Sequence, residues 1–323
     1  MKTILLTGVA GFIGQKTTEF LLRDGWQVVG VDNINNSYDI KLKEYRIKTL
    51  KIMNNFTFIN MDIENRISLN NVFKNYRIDT IINLAARAGV RNSLDNPYIY
   101  LSTNLNGTLN LLDLAKDFDI EKLVLASTSS IYAGEKMPFI EETCVNRPLS
   151  PYAASKKAAE LMAYTYHYNY NIDITVVRYF TVYGPAGRPD MSIFRFIKWI
   201  DEEKPLKLYG DGSQSRDFTY IDDIAEGNIK AIKRVGYEII NLGGGTKPVS
   251  LNKIITIIEN LLGKRAIIEQ SEFKKTDLKE TMADISKAKN LLNWEPKFDL
   301  KKGIKNSVEW YIKNKRWLKL LKV

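Results

Sequence analysis

The chain opens on Met1-Lys-Thr-Ile-Leu-Leu-Thr7, an apolar run of strand length, which passes without a linker into Gly8-Val-Ala-Gly11-Phe12-Ile13-Gly14 and the helical stretch Gln15 to Arg23. A strand that turns through glycines straight into a helix points the helix's free N–H groups at the turn, where they can hold a phosphate. Gly8 permits the tight turn, Gly11 lets the backbone approach a pyrophosphate, and Gly14 lets helix pack closely on strand. The three-residue interval is a variant of the usual dinucleotide fingerprint, and glycines also close ordinary turns, so the next segment decides. A second apolar strand, Gln27 to Val31, ends in Asp32, about 20 residues past the turn, where a carboxylate accepts hydrogen bonds from the adenosine ribose. An acid there repels a 2′-phosphate and no arginine follows at once, so the expected cofactor is NAD rather than NADP.

Further strand-like runs stand at 56–61, 80–83, 122–126 and 174–177, separated by helical patterns such as 101–118 and 152–169. This alternation predicts an α/β fold with a doubly wound parallel Rossmann sheet. After about Arg178 the rhythm loosens into loops bearing Gly and Pro, which implies a smaller, irregular C-terminal region over the strand ends. The expected division is residues 1–178 for the dinucleotide and 179–323 mainly for substrate, with room for a strand that returns to the sheet. At 323 residues and 45% apolar content the chain can bury a large core. One cysteine, Cys144, excludes an internal disulfide and suits a reducing compartment; with no signal peptide and no spanning apolar run, the expected location is the cytoplasm. The formal charge of +10 is spread over many segments with no nucleic-acid motif beside it, so a lysine-rich surface is expected rather than an RNA or DNA partner. The basic, aromatic tail 308–323 reads as a helix docking its apolar face on its own domain, with contact to an anionic membrane as the alternative. One His and one Cys leave no credible metal site.

The chemistry is carried by Ser150-Pro-Tyr152-Ala-Ala-Ser-Lys156-Lys157. A four-residue helical step aims Tyr152 and Lys156 at one spot, and a phenol that takes a proton near neutral pH needs a fixed positive charge beside it. Tyr and Lys at this spacing also occur by chance on exposed helices. Taken together, Thr7-Gly8-x-x-Gly11-x-x-Gly14, Asp32, Asn83-Leu84-Ala85-Ala86, Ser127-Thr128-Ser129-Ser130-Ile-Tyr132 and Tyr152-x-x-x-Lys156 resemble the extended short-chain dehydrogenase/reductase family, the nucleotide-sugar epimerases and dehydratases, over nearly the whole chain. The resemblance implies that NAD oxidises a sugar at C4 and that the hydride is later returned or redirected. It implies cofactor contacts from Phe12, Ile13, Asn33, Asp62, Ile63, Leu84, Ala85, Ala86, Asn104, Tyr179 and Val182 besides the three glycines and Asp32, and a homodimer through the two long helices. Thr128 would bond the reacting hydroxyl beside Tyr152, while Lys156 holds the nicotinamide ribose and depresses the phenol's pKa.

Two stretches narrow the choice. Relatives that dehydrate or decarboxylate carry acids where this chain has Ser129-Ser130, hydroxyls ill suited to removing a proton from C5. The run from Arg178 to Met191, with 86–94 and 216–223, is similar to the UDP-glucuronate 4-epimerases, which implies that Ser129, Ser130, Thr181 and Arg188 face the sugar, that Arg216 clamps the diphosphate, and that Asp277 contacts the nucleotide. A guanidinium is the side chain that best pairs with a C5 carboxylate. Arg188 could instead brace its loop through Asp190, the serines could satisfy backbone groups, and Lys274-Lys275 depart from the pattern of relatives. The expected function is C4 epimerisation of UDP-glucuronate to UDP-galacturonate; the alternatives are a UDP-galactose/UDP-glucose 4-epimerase, a UDP-glucuronate decarboxylase, and a non-catalytic NAD-binding protein.

Overall fold

The structure is a computed structural model that describes residues 2–273 and 278–322. Seven parallel strands form its central sheet: β1 (Thr3–Thr7), β2 (Gln27–Asp32), β3 (Phe56–Asn60), β4 (Thr80–Asn83), β5 (Lys122–Thr128), β6 (Asp173–Tyr179) and a last strand, Tyr237–Leu242, that returns from the C-terminal region to pair with β6. Across the sheet the order is Tyr237–Leu242, β6, β5, β4, β1, β2, β3. The connections reverse direction between β1 and β4, which opens a crevice at the carboxyl ends of those strands.

The strands read as unbroken apolar runs because both faces are covered. Successive side chains serve different cores: Ile4 and Leu6 join Ile82, Val124 and Val177 on one face, whereas Leu5 joins Ile81, Leu123, Leu125 and Val176 on the other. A third core, with Ile193, Phe194, Ile197, Leu206, Ile254 and Tyr311, holds the C-terminal region together. Its helices Ser192–Asp201, Leu251–Leu262 and Leu300–Leu318 carry the apolar stripes that build it. The basic tail docks on its own chain: the last helix buries Ile304, Val308 and Tyr311, and Trp317 stacks on Tyr45 at 5.0 Å between ring centroids. No helix among the described residues is long and apolar enough to cross a membrane.

The pattern at 101–118 is not one regular helix. Leu101–Asn106 is wound as a π-helical segment, and a normal α-helix, Gly107–Asp117, continues from it. Such widened turns concentrate at functional sites. At Gly107 a Cβ would lie 2.5 Å from Ile63 Cδ1, so any side chain there requires Ile63 to move.

Candidate active site

The glycine turn after β1 is shaped by steric necessity at two positions. Gly8 has φ +73°, and a Cβ there would stand 2.7 Å from the Ala85 nitrogen; at Gly14 a Cβ would fall 2.1 Å from the Gly8 carbonyl oxygen. The turn closes with the Gly11 N–H donating to that same carbonyl at 2.9 Å. The helix Phe12–Arg23 then begins with no side-chain cap at Gly11, which leaves its first N–H groups to an anion. At the end of β2 the buried Asp32 carboxylate accepts from the Ala10 N–H (3.0 Å) and the Ile34 N–H (2.8 Å), so it is oriented by backbone and retains lone pairs for a ribose. Next to it Asn33 donates to Asp62 at 2.6 Å, and Ile63 is packed against Gly107. Opposite the turn, Leu84 and Ala85 bring their backbone to β1 through Thr7, whose hydroxyl donates to Asn83 at 2.7 Å and accepts from the Ala85 N–H at 3.2 Å. These residues fit a dinucleotide: an uncapped helix end for the pyrophosphate, a cradle that tolerates no Cβ, and an acid at the ribose position.

Facing the cradle is the helix Pro151–Tyr170, started by Pro151 in its first turn and capped by the Ser150 hydroxyl, which accepts from the Ala153 N–H at 3.2 Å. Tyr152 and Lys156 lie one turn apart on it. Thr128, the last residue of β5, hydrogen-bonds the Tyr152 phenol; its hydroxyl also contacts that of Ser130 at 3.1 Å and accepts the Ser130 N–H. Burial raises the Tyr152 pKa, while the Thr128 hydrogen bond and the charge of Arg188 act against that rise. Burial also lowers Lys156, to about 8, with the Glu160 carboxylate opposing. The charge of Arg188 therefore acts on the phenol, in addition to the lysine one turn along the helix. Asn104, from the π-helical segment, exchanges two hydrogen bonds with the Arg87 backbone (2.8 and 3.0 Å) and donates to Ser155 at 2.9 Å, which ties the loop after β4 to the Tyr152 helix.

The sequence pattern of the GDP-mannose 4,6 dehydratase family matches residues 5–307. The chain belongs to that family. Among relatives of this dehydratase-family chain, a UDP-glucuronate 4-epimerase of Thermodesulfobacterium geofontis is 60% identical over 99% of each chain. The crystal structure of UDP-glucuronic acid 4-epimerase from Bacillus cereus, in complex with UDP-glucuronic acid and NAD, superposes with a TM-score of 0.90 at 38% identity, over 97% of this chain and 99% of that one. The UDP-glucose 4-epimerase of Thermotoga maritima, with UDP-glucose, superposes with a TM-score of 0.88 at 29% identity over 97% and 99%. The resemblance to extended short-chain dehydrogenase/reductases therefore holds along almost the whole chain.

The remaining dehydratase-family positions are distributed as follows. Phe12, Thr181, Val182 and Arg188 line one crevice. Arg188 pairs with Asp190 through Nε (3.0 Å) and Nη2 (2.7 Å), the loop-bracing contact that its neighbour suggested, yet its charge also reaches Tyr152 and Tyr100. Tyr179 is packed in the core with its hydroxyl donating to Asn228 at 2.5 Å, and Ile13 packs between two of the cores. Ser129 and Ser130 form the short turn after β5. Arg216 donates to the Ser215 carbonyl at 2.8 Å, while the adjacent Asp217 points inward and accepts from the Ala283 N–H at 2.9 Å. Asp277 and Lys274-Lys275 lie outside the described residues.

A second set of residues escaped sequence reasoning. Three cations surround the Tyr38 ring: Lys43 at 5.0 Å, Arg46 at 5.5 Å and Arg188 at 5.4 Å from its centroid. Arg46 is fully buried, and its guanidinium donates to the carbonyls of Ala10 and Ala186 and to the Tyr38 hydroxyl. Burial lowers Lys43 to about 8; Asp32 opposes this, whereas Arg46, Arg87 and Arg188 add to it. So concentrated a positive field beside the cradle suits the anions of a nucleotide. The only available signal was the three-residue step from Lys43 to Arg46 on the same helix face as Leu42, Ile47 and Leu50, but the helix also carries Lys41, Lys48 and Lys51 and so reads as a solvated basic element.

Proposed function

We propose that the protein epimerises UDP-glucuronate and UDP-galacturonate at C4, with NAD held in the Gly8–Gly14 cradle. The observation that carries the sugar assignment is Arg188, a half-buried guanidinium that shares a crevice with Thr181 and acts electrostatically on Tyr152. A C5 carboxylate is the substrate group such a cation selects. The 60% identical relative bears that activity's name, which supports the same reading.

When bound, NAD supplies the acceptor and donor of the hydride at C4. Tyr152 takes the C4 hydroxyl proton, with Thr128 bonded to both oxygens, and gives it back after the 4-keto sugar has turned over in the pocket. Lys156 holds the nicotinamide ribose. Thr128, Ser129, Ser130, Thr181 and Arg188 hold the carboxylate in the ring plane. That restraint matters because the 4-ketone is β to the carboxylate, and a β-keto acid loses carbon dioxide once the breaking bond aligns with the carbonyl π system. Ser129 and Ser130 are poor bases, so neither promotes proton loss from C5. Residues 1–178 hold the dinucleotide and 179–323 mainly the sugar nucleotide, with Arg216 and Asp277 on the UDP side. The enzyme acts as a cytoplasmic homodimer, a reading supported by the lone cysteine and by exposed apolar side chains on the two long helical segments, among them Leu101, Leu161 and Tyr164.

Incubation of purified protein with UDP-glucuronate, UDP-glucose and UDP-GalNAc, with products resolved by chromatography, tests this. Interconversion of the two uronates is expected. Turnover of a neutral sugar alone assigns the chain to the neutral-sugar epimerases instead.

A further inference from the structure

The hydroxyls of Thr128, Ser129 and Ser130 come from one element and Tyr152 and Lys156 from another, so proton transfer depends on how firmly the two are registered. A buried ion pair links them. Glu160, on the Tyr152 helix one turn beyond Lys156, accepts from Arg178 Nε (2.9 Å) and Nη2 (2.7 Å), and each side chain is 1% exposed. The same carboxylate accepts from the Ser127 hydroxyl at 2.6 Å. Arg178 in turn donates through Nη1 to the Tyr132 hydroxyl at 2.6 Å, which donates to Asn241 at 2.9 Å. Ser127 and Tyr132 are the two ends of the segment that presents Thr128, Ser129 and Ser130. The segment is therefore pinned at both ends to a pair rooted in the catalytic helix and in β6. Elsewhere the helix packs on the sheet through the small residues Ala153, Ala159 and Ala163, and the Tyr237 hydroxyl donates to the Glu160 carbonyl at 3.0 Å.

A buried ion pair is a poor source of stability, since an apolar pair of similar volume often serves as well or better. What it supplies is direction: a planar guanidinium and a carboxylate, joined to each other and to Ser127 and Tyr132 by four hydrogen bonds, accept one arrangement. We propose that Glu160 and Arg178 are positioning residues that hold the Thr128–Ser130 hydroxyls in register with Tyr152, acting through Ser127 and Tyr132 and touching neither sugar nor cofactor. This inference rests on the epimerase reading for its assay.

The test compares the wild type with the apolar double variant Glu160→Leu/Arg178→Met, and with Ser127→Ala and Tyr132→Phe, each of which releases one pin without stranding a charge. Melting temperature, copurifying NAD, kcat and KM are measured on whichever of UDP-glucuronate or UDP-glucose the wild type epimerises, so that a wrong sugar assignment shows in the wild type alone. The double variant is expected to melt at or above the wild-type temperature, retain NAD and keep its KM, while kcat falls about 10²-fold, the cost of a misplacement near 1 Å. Ser127→Ala and Tyr132→Phe should each lower kcat about tenfold by the same loosening. A folded double variant with wild-type kcat overturns the proposal, as does a loss confined to stability and NAD content. Should the double variant fail to fold, wild-type kcat in both single variants overturns it equally.

Discussion

Arg188 lies close enough to Tyr152 for its charge to act on the phenol, and it opposes the rise in pKa that burial imposes there. Removing that charge destabilises the phenolate, so the ascending limb of kcat/KM against pH should move to higher pH in Arg188→Ala and move back in Arg188→Lys. Lys156, which burial lowers to about 8 and which loses its charge as pH rises through that value, is expected to shape the descending limb. An ascending limb that stays in place in Arg188→Ala would show that another cation governs the proton acceptor.

The same guanidinium is expected to decide sugar selectivity. Deleting one partner of a buried charged hydrogen bond costs about 2–5 kcal/mol, and the half-buried Arg188 should fall at the low end, so Arg188→Ala should lose more activity on UDP-glucuronate than any activity on UDP-glucose. Equal losses on the two sugars, measured as kcat/KM, would assign Arg188 to bracing Asp190 alone.

Tyr152→Phe removes the ionisable hydroxyl at almost constant volume. Loss of a positioned acid/base lowers rate by about 10²–10⁴-fold, and substrate affinity should change little because the nucleotide provides most contacts. Titration calorimetry beside steady-state rates separates the two quantities; near-normal turnover would mean that a different group takes the proton.

On the proposed reading, Thr181→Ala is expected to loosen the carboxylate without removing the guanidinium. Part of the 4-keto intermediate should then lose carbon dioxide and leave as a UDP-4-keto-pentose, with reduced cofactor accumulating on the enzyme. Absorbance near that of NADH, growing with each turnover, reports it. A variant that is slower but produces no reduced cofactor would indicate that the other hydroxyls suffice to hold the carboxylate.

Gly14→Ala places a methyl group 2.1 Å from the Gly8 carbonyl oxygen, a backbone atom that cannot swing aside. Overpacking of this kind costs about 1–3 kcal/mol, and here the displaced atom belongs to the cradle itself. The variant should melt lower and purify with little NAD, whereas wild-type protein should release NAD, not NADP, on denaturation. Full NAD content in Gly14→Ala would place the pyrophosphate elsewhere.

Much of this molecule is legible in one dimension. Unbroken apolar runs such as Leu123–Ala126 announce strands covered on both faces, the glycines announce a turn that admits no Cβ, and Tyr152 with Lys156 share a face because a helix repeats every 3.6 residues. At Gly14 and for the Tyr152–Lys156 pair the partners are neighbours within one element or across one turn, so spacing alone carries the information, whereas Gly8 meets Ala85 from another strand's end. The π-helical winding at Leu101–Asn106 is different: the residues suit a regular helix, and it is the packing of Asn104 against Arg87 and Ser155 that accompanies the wider turn.

What only the tertiary structure decided is where the charges sit. Arg46 reads as one more cation on a basic helix, but it is buried against the carbonyl of Ala186, 140 residues away. The charge of Arg188 reaches Tyr152, and Glu160 collects Ser127 and Arg178, only after the strands have paired. A charged side chain follows no periodicity that reveals its partner, because the cost of burying it is met by groups from other elements, and those are chosen by topology rather than by distance along the chain.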